Sequence, residues 1–350
     1  MEKINREKQL TDIRDLTYDE LTIELREMGE PAYRAGQIYK WLHVKLVSSF
    51  DQMSDLSKDL RKKLEDKYML YEPEAVDRQI SRKDGVQKFL FRLFDGQMIE
   101  SVWMPYKHGN SVCISSQAGC RMGCSFCAST IGGLIRNLTP AEMLGQIYAI
   151  TRITGERVSN VVVMGTGEPL DNYDNLIRFI RMLTDERGLN ISQRNVTVST
   201  CGLADKIIRL SEEGLQITLA LSLHASSDEK RQKIMPVAKS YSIEELMKAA
   251  GIYFEKTGRR ITFEYSLIDG VNNSDEDAKE LARLARRISA HVNLIPVNPV
   301  RETAYRPPDR RAAEEFKQKL EKQRVNATIR RTLGEDIDAA CGQLRRKSLQ

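Results

Sequence analysis

The chain has 350 residues, of which 41% are hydrophobic, and its formal net charge at pH 7 is +5. That length supports one large domain with an appendage, or two domains. The sequence has no apolar run of membrane-spanning length, and its charged opening lacks the apolar core of a signal peptide. We therefore expect neither export nor membrane insertion, and a cytoplasmic location. A late surplus of Lys and Arg permits an RNA partner without requiring one.

Two accessory regions are predicted ahead of the main domain. Residues 1–72 are assigned to an amino-terminal helical domain, because apolar residues recur there at the three- and four-residue spacing of short helices. Ser54 is the expected cap of the third helix. Residues 73–108 alternate apolar and polar residues around two turn signals, KDG and DG, and this pattern predicts a short β-meander.

The main domain is predicted over residues 109–334, where a strand, a loop and a helix recur in turn. Six short segments rich in Val, Ile or Leu are the strand candidates: residues 112–115, 160–164, 195–199, 216–221, 261–267 and 292–297. Helix starts are marked by Thr139 with Glu142 and by Ser242 with Glu245, each pair at capping-box spacing. This alternation predicts an α/β fold with a parallel sheet, either an open doubly wound sheet or an incomplete barrel.

Unusual residues follow most of the predicted strands. They are a three-cysteine loop after the first strand, GTGEP after the second, STCG after the third, SLH after the fourth and Asn298 after the sixth. Ligands collect at the carboxyl ends of parallel strands in both candidate architectures. We therefore expect these five segments to meet on one face of the domain.

The three-cysteine loop, GCRMGCSFCAST, places Cys120, Cys124 and Cys127 within eight positions. In a reducing compartment, clustered cysteines bind metal or react more often than they form a disulfide framework. Structural zinc would require a second pair of ligands, and the neighbouring sequence offers only His108 and Cys113. An iron–sulfur cluster held by three cysteines would leave one iron open to a ligand that is not protein.

The Cys-x3-Cys-x2-Cys spacing, with Phe126 before the last cysteine, resembles the signature of the radical S-adenosylmethionine superfamily. The resemblance implies a partial (β/α)6 TIM-like barrel in which the three loop cysteines bind a 4Fe-4S cluster and S-adenosylmethionine completes the open iron. GTGEP resembles the GGEP element of that superfamily, with Thr166 in place of the second glycine. It implies that Gly167 and Glu168 contact the methionine moiety.

A closer resemblance, to the RlmN group of radical enzymes, extends over residues 17–344. It is carried by VCISSQAGCRMGCSFCAST, MGTGEPLDNYDNL, LSLHA, IPVNP and EDIDAACGQL. It implies methylation of carbon 2 of adenine in RNA, at an adenosine of the peptidyl-transferase centre of 23S rRNA and at an anticodon-loop adenosine of tRNA. It also implies a helical domain that helps to bind RNA and an external electron donor similar to flavodoxin or ferredoxin. We expect a monomer with no membrane partner.

The same resemblance implies roles for individual residues. Cys341, in the carboxyl-terminal segment 335–350, corresponds to the methyl-carrying cysteine, Cys113 to the cysteine that resolves a protein–RNA adduct through a disulfide, and Glu100 to the proton acceptor. Five further positions match residues that hold S-adenosylmethionine in the family: Ser199, Ser222, Leu223, His224 and Asn298. Without the resemblance, Glu100 would be interpreted as a solvated carboxylate and Cys341 as a residue of helix packing.

Two alternatives remain open at this point. The sister Cfr-type activity, methylation of carbon 8 of the same rRNA adenosine, uses the same kinds of residues, although AST after Cys127 and the EDIDAACGQL ending are closer to the RlmN pattern. A non-catalytic iron–sulfur protein that binds RNA or transfers electrons belongs to another class. It would need four protein ligands for its cluster and would not depend on Cys341.

Overall fold

The computed structural model of the protein describes residues 10–298, 303–331, 333–337 and 344. The structure confirms the predicted helical region at the amino-terminal end of the chain. Its elements are β1 (Thr11–Asp12), α1 (Tyr18–Glu27), α2 (Tyr33–His43), α3 (Lys58–Lys67) and β2 (Tyr68–Met69), and β1 pairs with β2 in parallel. Thr17 caps α1 through a capping box, whereas α3 is capped by Ser57 and not by Ser54.

The helical region has an apolar core of its own. Its main members are leucines and isoleucines on the inner sides of the three helices: Leu21, Leu25, Ile38, Leu42, Leu60 and Leu64. Buried polar contacts join this region to the main domain, since His43 Nδ1 lies 2.7 Å from the hydroxyl of Tyr148. The Asp15 carboxylate also accepts a hydrogen bond of 2.8 Å from the backbone N–H of Ala141. The region is therefore seated on the main domain and has specific contacts with it.

The predicted β-meander is confirmed and extends the main sheet. It consists of β3 (Glu74–Ile80), β4 (Gln87–Arg92) and β5 (Met98–Met104), paired antiparallel. The next strand, β6 (Asn110–Ile114), is antiparallel to β5. Because β6 also pairs in parallel with a later strand, the meander and the main domain share one sheet.

The remaining elements alternate strands and helices. They are β7 (Gln117–Gly119), β8 (Leu134–Asn137), α4 (Pro140–Thr154), β9 (Val158–Val163), α5 (Tyr173–Leu183), β10 (Val196–Thr200), α6 (Ala204–Leu210), β11 (Thr218–Ser222), α7 (Asp228–Ile234), α8 (Ile243–Thr257), β12 (Thr262–Leu267), α9 (Asp275–Arg287), β13 (His291–Pro296), α10 (Arg310–Lys322) and β14 (Ala327–Ile329). Strands β7 and β8 form a separate hairpin. The predicted capping boxes at Thr139 and Ser242 begin α4 and α8.

The order of the strands distinguishes between the two candidate architectures. From β6 onward the order is β6-β9-β10-β11-β12-β13-β14, each strand parallel to its neighbour and without a reversal. A doubly wound sheet reverses its order at a switch point, so this sheet is wound as a barrel is. In the described part of the chain β3 and β14 end the order, and the partial barrel is confirmed. All six predicted strands are present, and β14 is a seventh that the sequence did not predict.

The side chains of the barrel strands alternate between an apolar outer face and a more polar inner face. Val196 and Val198 of β10 belong to the same buried core as Leu176 and Ile180 of α5. Ser199, between Val198 and the strand end, points to the opposite face because successive side chains of a strand alternate. Polar groups on neighbouring strands can therefore meet inside the barrel.

Candidate active site

The three cysteines lie in the loop of the β7–β8 hairpin, which follows β6. Gly119 begins the loop with φ +83°, and a Cβ at that position would lie 2.0 Å from the carbonyl oxygen of Gly133. Only glycine fits there. Cys120 N–H donates to that same carbonyl at 3.0 Å, and Cys127 N–H donates to the carbonyl of Cys124 at 3.1 Å. These backbone contacts hold the two ends of the loop in place.

The three thiols of this loop differ in their exposure to solvent. Cys120 and Cys124 are buried, and Cys127 is partly exposed. Burial, together with negative charge on Cys127, raises the pKa of the Cys120 thiol to about 12. Burial and the negative charges of Cys127 and Cys120 raise the pKa of the Cys124 thiol. Without iron, the thiols of Cys120 and Cys124 therefore stay protonated at neutral pH, and binding of iron would replace their protons.

This donor set fits an iron–sulfur cluster. Thiolates are the ligands that such clusters take, and three of them lie close enough to interact through charge. The described residues contain no group of three or more His, Cys, Asp or Glu side chains arranged to hold one metal ion. Since a cluster distributes its ligands over several iron atoms, its cysteines need not converge on one point.

The GTGEP loop after β9 is packed directly against the residues that precede the cysteines. A Cβ on Gly165 would lie 2.7 Å from the carbonyl oxygen of Ile114. At Gly167, where φ is +113°, a Cβ would lie 2.7 Å from the Cβ of Gln117. Glu168 N–H donates to the side-chain carbonyl of Gln117 at 2.8 Å. The two loops are therefore held together by contacts that larger residues would prevent.

Glu168 is buried, and its carboxylate is partly committed to the backbone. One oxygen accepts a hydrogen bond from Leu170 N–H at 3.0 Å, and the other accepts one from Cys201 N–H at 2.7 Å. Burial raises the pKa of Glu168, while these hydrogen bonds lower it. Glu168 thus links the loops that follow β9 and β10, and the predicted contact of its carboxylate with a ligand ammonium would use the lone pairs that remain.

A cavity of about 220 Å³ opens beside the cysteine loop at the carboxyl ends of the strands. Its lining includes residues of the predicted ligand set, namely Ser199, Ser222, His224 and Asn298, together with Phe126 and Cys127 of the loop. The hydroxyl oxygens of Ser199 and Ser222 lie 3.2 Å apart. Leu223, also in the predicted set, is fully buried. The expected convergence of the strand ends on one face is present.

His224 is held as a neutral donor toward this cavity. Burial lowers its pKa to about 3, so the ring is uncharged at neutral pH. Its Nδ1 accepts a hydrogen bond of 2.9 Å from the backbone N–H of Ser266. The proton of the neutral ring therefore lies on Nε2. The ring also packs edge-to-face against Phe126, with 5.0 Å between the ring centres.

The cavity contains two charged residues that the sequence analysis missed. Glu264 lies inside β12, where its carboxylate accepts a hydrogen bond of 2.8 Å from the side-chain amide of Asn293. Burial raises the pKa of Glu264. Arg330, just after β14, lines the same cavity. The signal that could have identified Glu264 is a charged residue in the middle of the apolar segment ITFEYSL.

Glu100 and Cys113 lie on one face of adjacent strands. Val102 of β5 pairs with Cys113 of β6, and Glu100 is two residues from Val102, so all three point to the same side. The Glu100 carboxylate lies 3.0 Å from the ammonium of Lys88, and their side chains are only 4% and 0% exposed. The interpretation of Glu100 as a solvated carboxylate is therefore wrong, and Lys88 is a partner that the sequence did not indicate.

Cys341 lies outside the described residues. The described residues that precede it in the chain, Leu333 and Ile337, pack against a small apolar cluster that contains Cys113, Val102 and Met104. The described residues 333–337 therefore lie on the sheet face that carries Cys113. Within the described ranges, no helix combines the length and the apolar character needed to cross a bilayer.

Comparison with known proteins identifies the class of this fold and site. Residues 114–285 match the Radical SAM superfamily, so the partial barrel and its three-cysteine loop belong to a radical S-adenosylmethionine enzyme. Membership of this superfamily implies S-adenosylmethionine and an iron–sulfur cluster as cofactors. Residues 11–70 match the Ribosomal RNA large subunit methyltransferase N-terminal domain.

The chain belongs to the RlmN family of radical S-adenosylmethionine methyltransferases. It is 58% identical to the probable dual-specificity RNA methyltransferase RlmN of Lachnoclostridium phytofermentans over 96% of this chain and 94% of that protein. It is also 58% identical to the protein of the same name from Lachnospira eligens, over 97% of both chains. The crystal structure of a radical SAM methyltransferase from Sphaerobacter thermophilus has a TM-score of 0.91 and 44% identity, and the alignment covers 95% of this chain and 98% of that one.

Proposed function

We propose that this enzyme forms 2-methyladenosine in 23S rRNA and in tRNA, using a methyl group that is first transferred to Cys341. The proposal rests above all on one observation. Glu100 and Cys113 share a buried sheet face with the segment that leads to Cys341, at the side of a barrel whose mouth carries the cysteine loop. The names of the relatives support RNA as the substrate. A monomer and a flavodoxin- or ferredoxin-like electron donor are part of the proposal.

Different residues of the barrel mouth would bind the two cofactors. Cys120, Cys124 and Cys127 would bind three irons of a 4Fe-4S cluster. Seven residues would hold S-adenosylmethionine: Gly167, Glu168, Ser199, Ser222, Leu223, His224 and Asn298. When bound, these cofactors supply a methyl cation equivalent and, after one-electron reduction, the 5'-deoxyadenosyl radical. The neutral His224 suits this task, because its Nε2–H can donate to a ligand without adding positive charge beside a sulfonium.

Cys341 is needed because of the nature of the reacting carbons. Carbon 2 of adenine and the methyl group of S-adenosylmethionine are both electrophilic, so neither can attack the other. The Cys341 thiolate is a nucleophile and accepts the methyl group first. The methylated Cys341 side chain would then give one hydrogen atom to the radical that the cofactors supply. The resulting carbon radical would add to the adenine ring, which joins Cys341 to the RNA. The adduct would then give up one electron, for which the oxidised cluster is the acceptor in this proposal.

Glu100 and Cys113 complete the reaction by releasing the RNA. Glu100 takes the proton from carbon 2 of the ring. The Cys113 thiolate attacks the sulfur of Cys341, and the electron pair of the broken carbon–sulfur bond stays with the methylene carbon, which takes a proton and becomes the methyl group. The Cys113–Cys341 disulfide that remains must be reduced by two electrons before the next turnover. The buried Lys88, whose ammonium lies 3.0 Å from the Glu100 carboxylate, holds that carboxylate on the sheet face that carries Cys113.

The position of the methyl group tests the proposed function. Transcripts of the rRNA and tRNA targets are incubated with reconstituted enzyme, S-adenosylmethionine and a reductant, then digested to nucleosides and separated by liquid chromatography with mass spectrometry. We expect 2-methyladenosine from both RNAs and none from targets in which the reactive adenosine is replaced by guanosine. Formation of 8-methyladenosine would support the Cfr-type alternative and would contradict the assignment.

A further inference from the structure

The turn between β3 and β4 binds the carboxyl-terminal segment of the chain. Ser81 Oγ donates to one carboxylate oxygen of Asp336 at 2.6 Å. Arg82 N–H donates to the other oxygen at 2.8 Å. In the opposite direction, Gly334 N–H donates to the carboxylate of Asp84 at 2.9 Å. Two carboxylates, one from each segment, thus accept hydrogen bonds from the other segment, 250 or more positions away in the chain.

Apolar contacts fix the same segment from its other side. Leu333 and Ile337, which flank the hydrogen-bonded residues, pack on the cluster that contains Val86, Met104 and Cys113. A residue with a polar anchor and apolar neighbours on both sides has little freedom to slide along the sheet. The segment 333–337 is therefore fixed in register with the strand face that carries Cys113.

The contacts of Asp336 differ from an ordinary surface ion pair in the same segment. Hydrogen bonds from Ser81 and from the Arg82 amide lower the pKa of Asp336, so both of its oxygens stay ionised acceptors at neutral pH. Glu335, its neighbour, pairs with Lys83 at 3.0 Å, but these side chains are 53% and 61% exposed. Exposed pairs of this kind contribute little. Asp336 is also exposed, but its carboxylate binds the hydroxyl of the buried Ser81 and a backbone N–H instead of a mobile ammonium. We therefore take Asp336 as the anchor of the segment and Glu335 as its matched control.

We propose that Asp336 is a positioning residue, which clamps the segment 333–337 to the β3–β4 turn and so keeps the Cys341 thiol within reach of Cys113. The inference rests on the proposed function for the roles of the two thiols. Cys341 lies four positions after Ile337 in the chain, so their Cα atoms are at most about 14 Å apart. With Ile337 held beside Cys113, the length of the intervening chain sets an upper limit on the distance between the two thiols. The clamp thereby raises the effective concentration of one thiol at the other.

The disulfide between the two cysteines measures this concentration directly. Holoenzyme without RNA is equilibrated anaerobically in glutathione buffers, in which oxidised glutathione takes two electrons and two protons from the two thiols and gives two molecules of reduced glutathione. The fraction of Cys113–Cys341 disulfide is read by peptide mass spectrometry after acid quenching. We expect Asp336→Ala to lower the equilibrium constant roughly tenfold, since two charge-assisted hydrogen bonds are lost. Asp336→Asn keeps one acceptor oxygen, so its equilibrium constant for disulfide formation should lie between those of Asp336→Ala and the wild type.

Controls separate failure of the clamp from failure of the proposed function. Glu335→Ala should form the disulfide as the wild type does, and each variant is checked for an unchanged melting temperature and iron content. If the wild type forms the disulfide and Asp336→Ala and Asp336→Asn match it, the clamp is overturned while the thiol pair stands. If the wild type itself forms no Cys113–Cys341 disulfide, the thiol pair of the proposed function is overturned, and the clamp with it.

Discussion

Replacing Cys113 with alanine is expected to trap the enzyme in a covalent adduct with its RNA. In the proposed reaction Cys341 is joined to the RNA through a methylene bridge, and only attack by a thiol on its sulfur releases the product. Alanine cannot attack, so less than one equivalent of methylated RNA should form per chain. The adduct is measured as a band of reduced mobility on a denaturing gel with end-labelled RNA. The loss of the buried thiol should cost about 1 kcal/mol of folding free energy, too little to unfold the protein.

The matched control for this variant is Val102→Ala. Val102 pairs with Cys113 across the two strands and packs in the same cluster, so its truncation creates a comparable space without removing the thiol. It should accumulate no adduct. The double variant of Cys113 and Cys341 to alanine should accumulate none either, because the carrier is absent. Repeated turnover by Cys113→Ala, with free methylated RNA as the product, would remove Cys113 from the release step.

Replacing Cys120 with alanine is expected to abolish the cluster and all turnover. A loop with only two thiols cannot provide the three cysteine ligands that the cluster needs. The iron content should therefore fall from about four atoms per chain to fewer than about one. Formation of 5'-deoxyadenosine should fall to background, since no electron can be delivered to S-adenosylmethionine. Iron content and 5'-deoxyadenosine are measured after anaerobic reconstitution. Cys113→Ala, a cysteine replaced outside the loop, should keep the iron and serves as the control.

The same samples distinguish the enzyme from a non-catalytic iron–sulfur protein. With three cysteine ligands, one iron is open, and adding S-adenosylmethionine to the reduced wild type should change its electron paramagnetic resonance spectrum. Cys120→Ala should give no cluster signal to change. A wild-type spectrum that S-adenosylmethionine leaves unaltered, or a full cluster in Cys120→Ala, would mean that other side chains complete the coordination.

The parts of the fold that the sequence could predict are those with local signals. The six parallel strands have short apolar segments, and the helices that begin at Thr139 and Ser242 have a cap and its glutamate three residues later. The cysteine loop is equally local, because three ligands lie within eight positions. Strand β14 was missed because it has only three residues, too few to show a period.

The parts that could not be predicted depend on register and on contacts across the chain. Glu100 is buried against Lys88 because β4 and β5 pair in one particular register, and no local pattern fixes that register. The bonds between Asp336 and the β3–β4 turn join residues more than 250 positions apart. His224 is neutral because the fold buries it, which its sequence neighbours do not reveal. These features concern the chemistry of the site more than its location.

The fate of the methyl hydrogens tests the carrier role of Cys341 most directly. The reaction is run with S-adenosylmethionine whose transferable methyl group contains three deuterium atoms, and the product nucleoside is analysed by mass spectrometry. A methyl group that waits on Cys341, loses one deuterium atom and takes a solvent proton on release should appear in 2-methyladenosine with two deuterium atoms, and the third should be found in 5'-deoxyadenosine. A product that retains all three deuterium atoms would show direct transfer to the base and would contradict the carrier role.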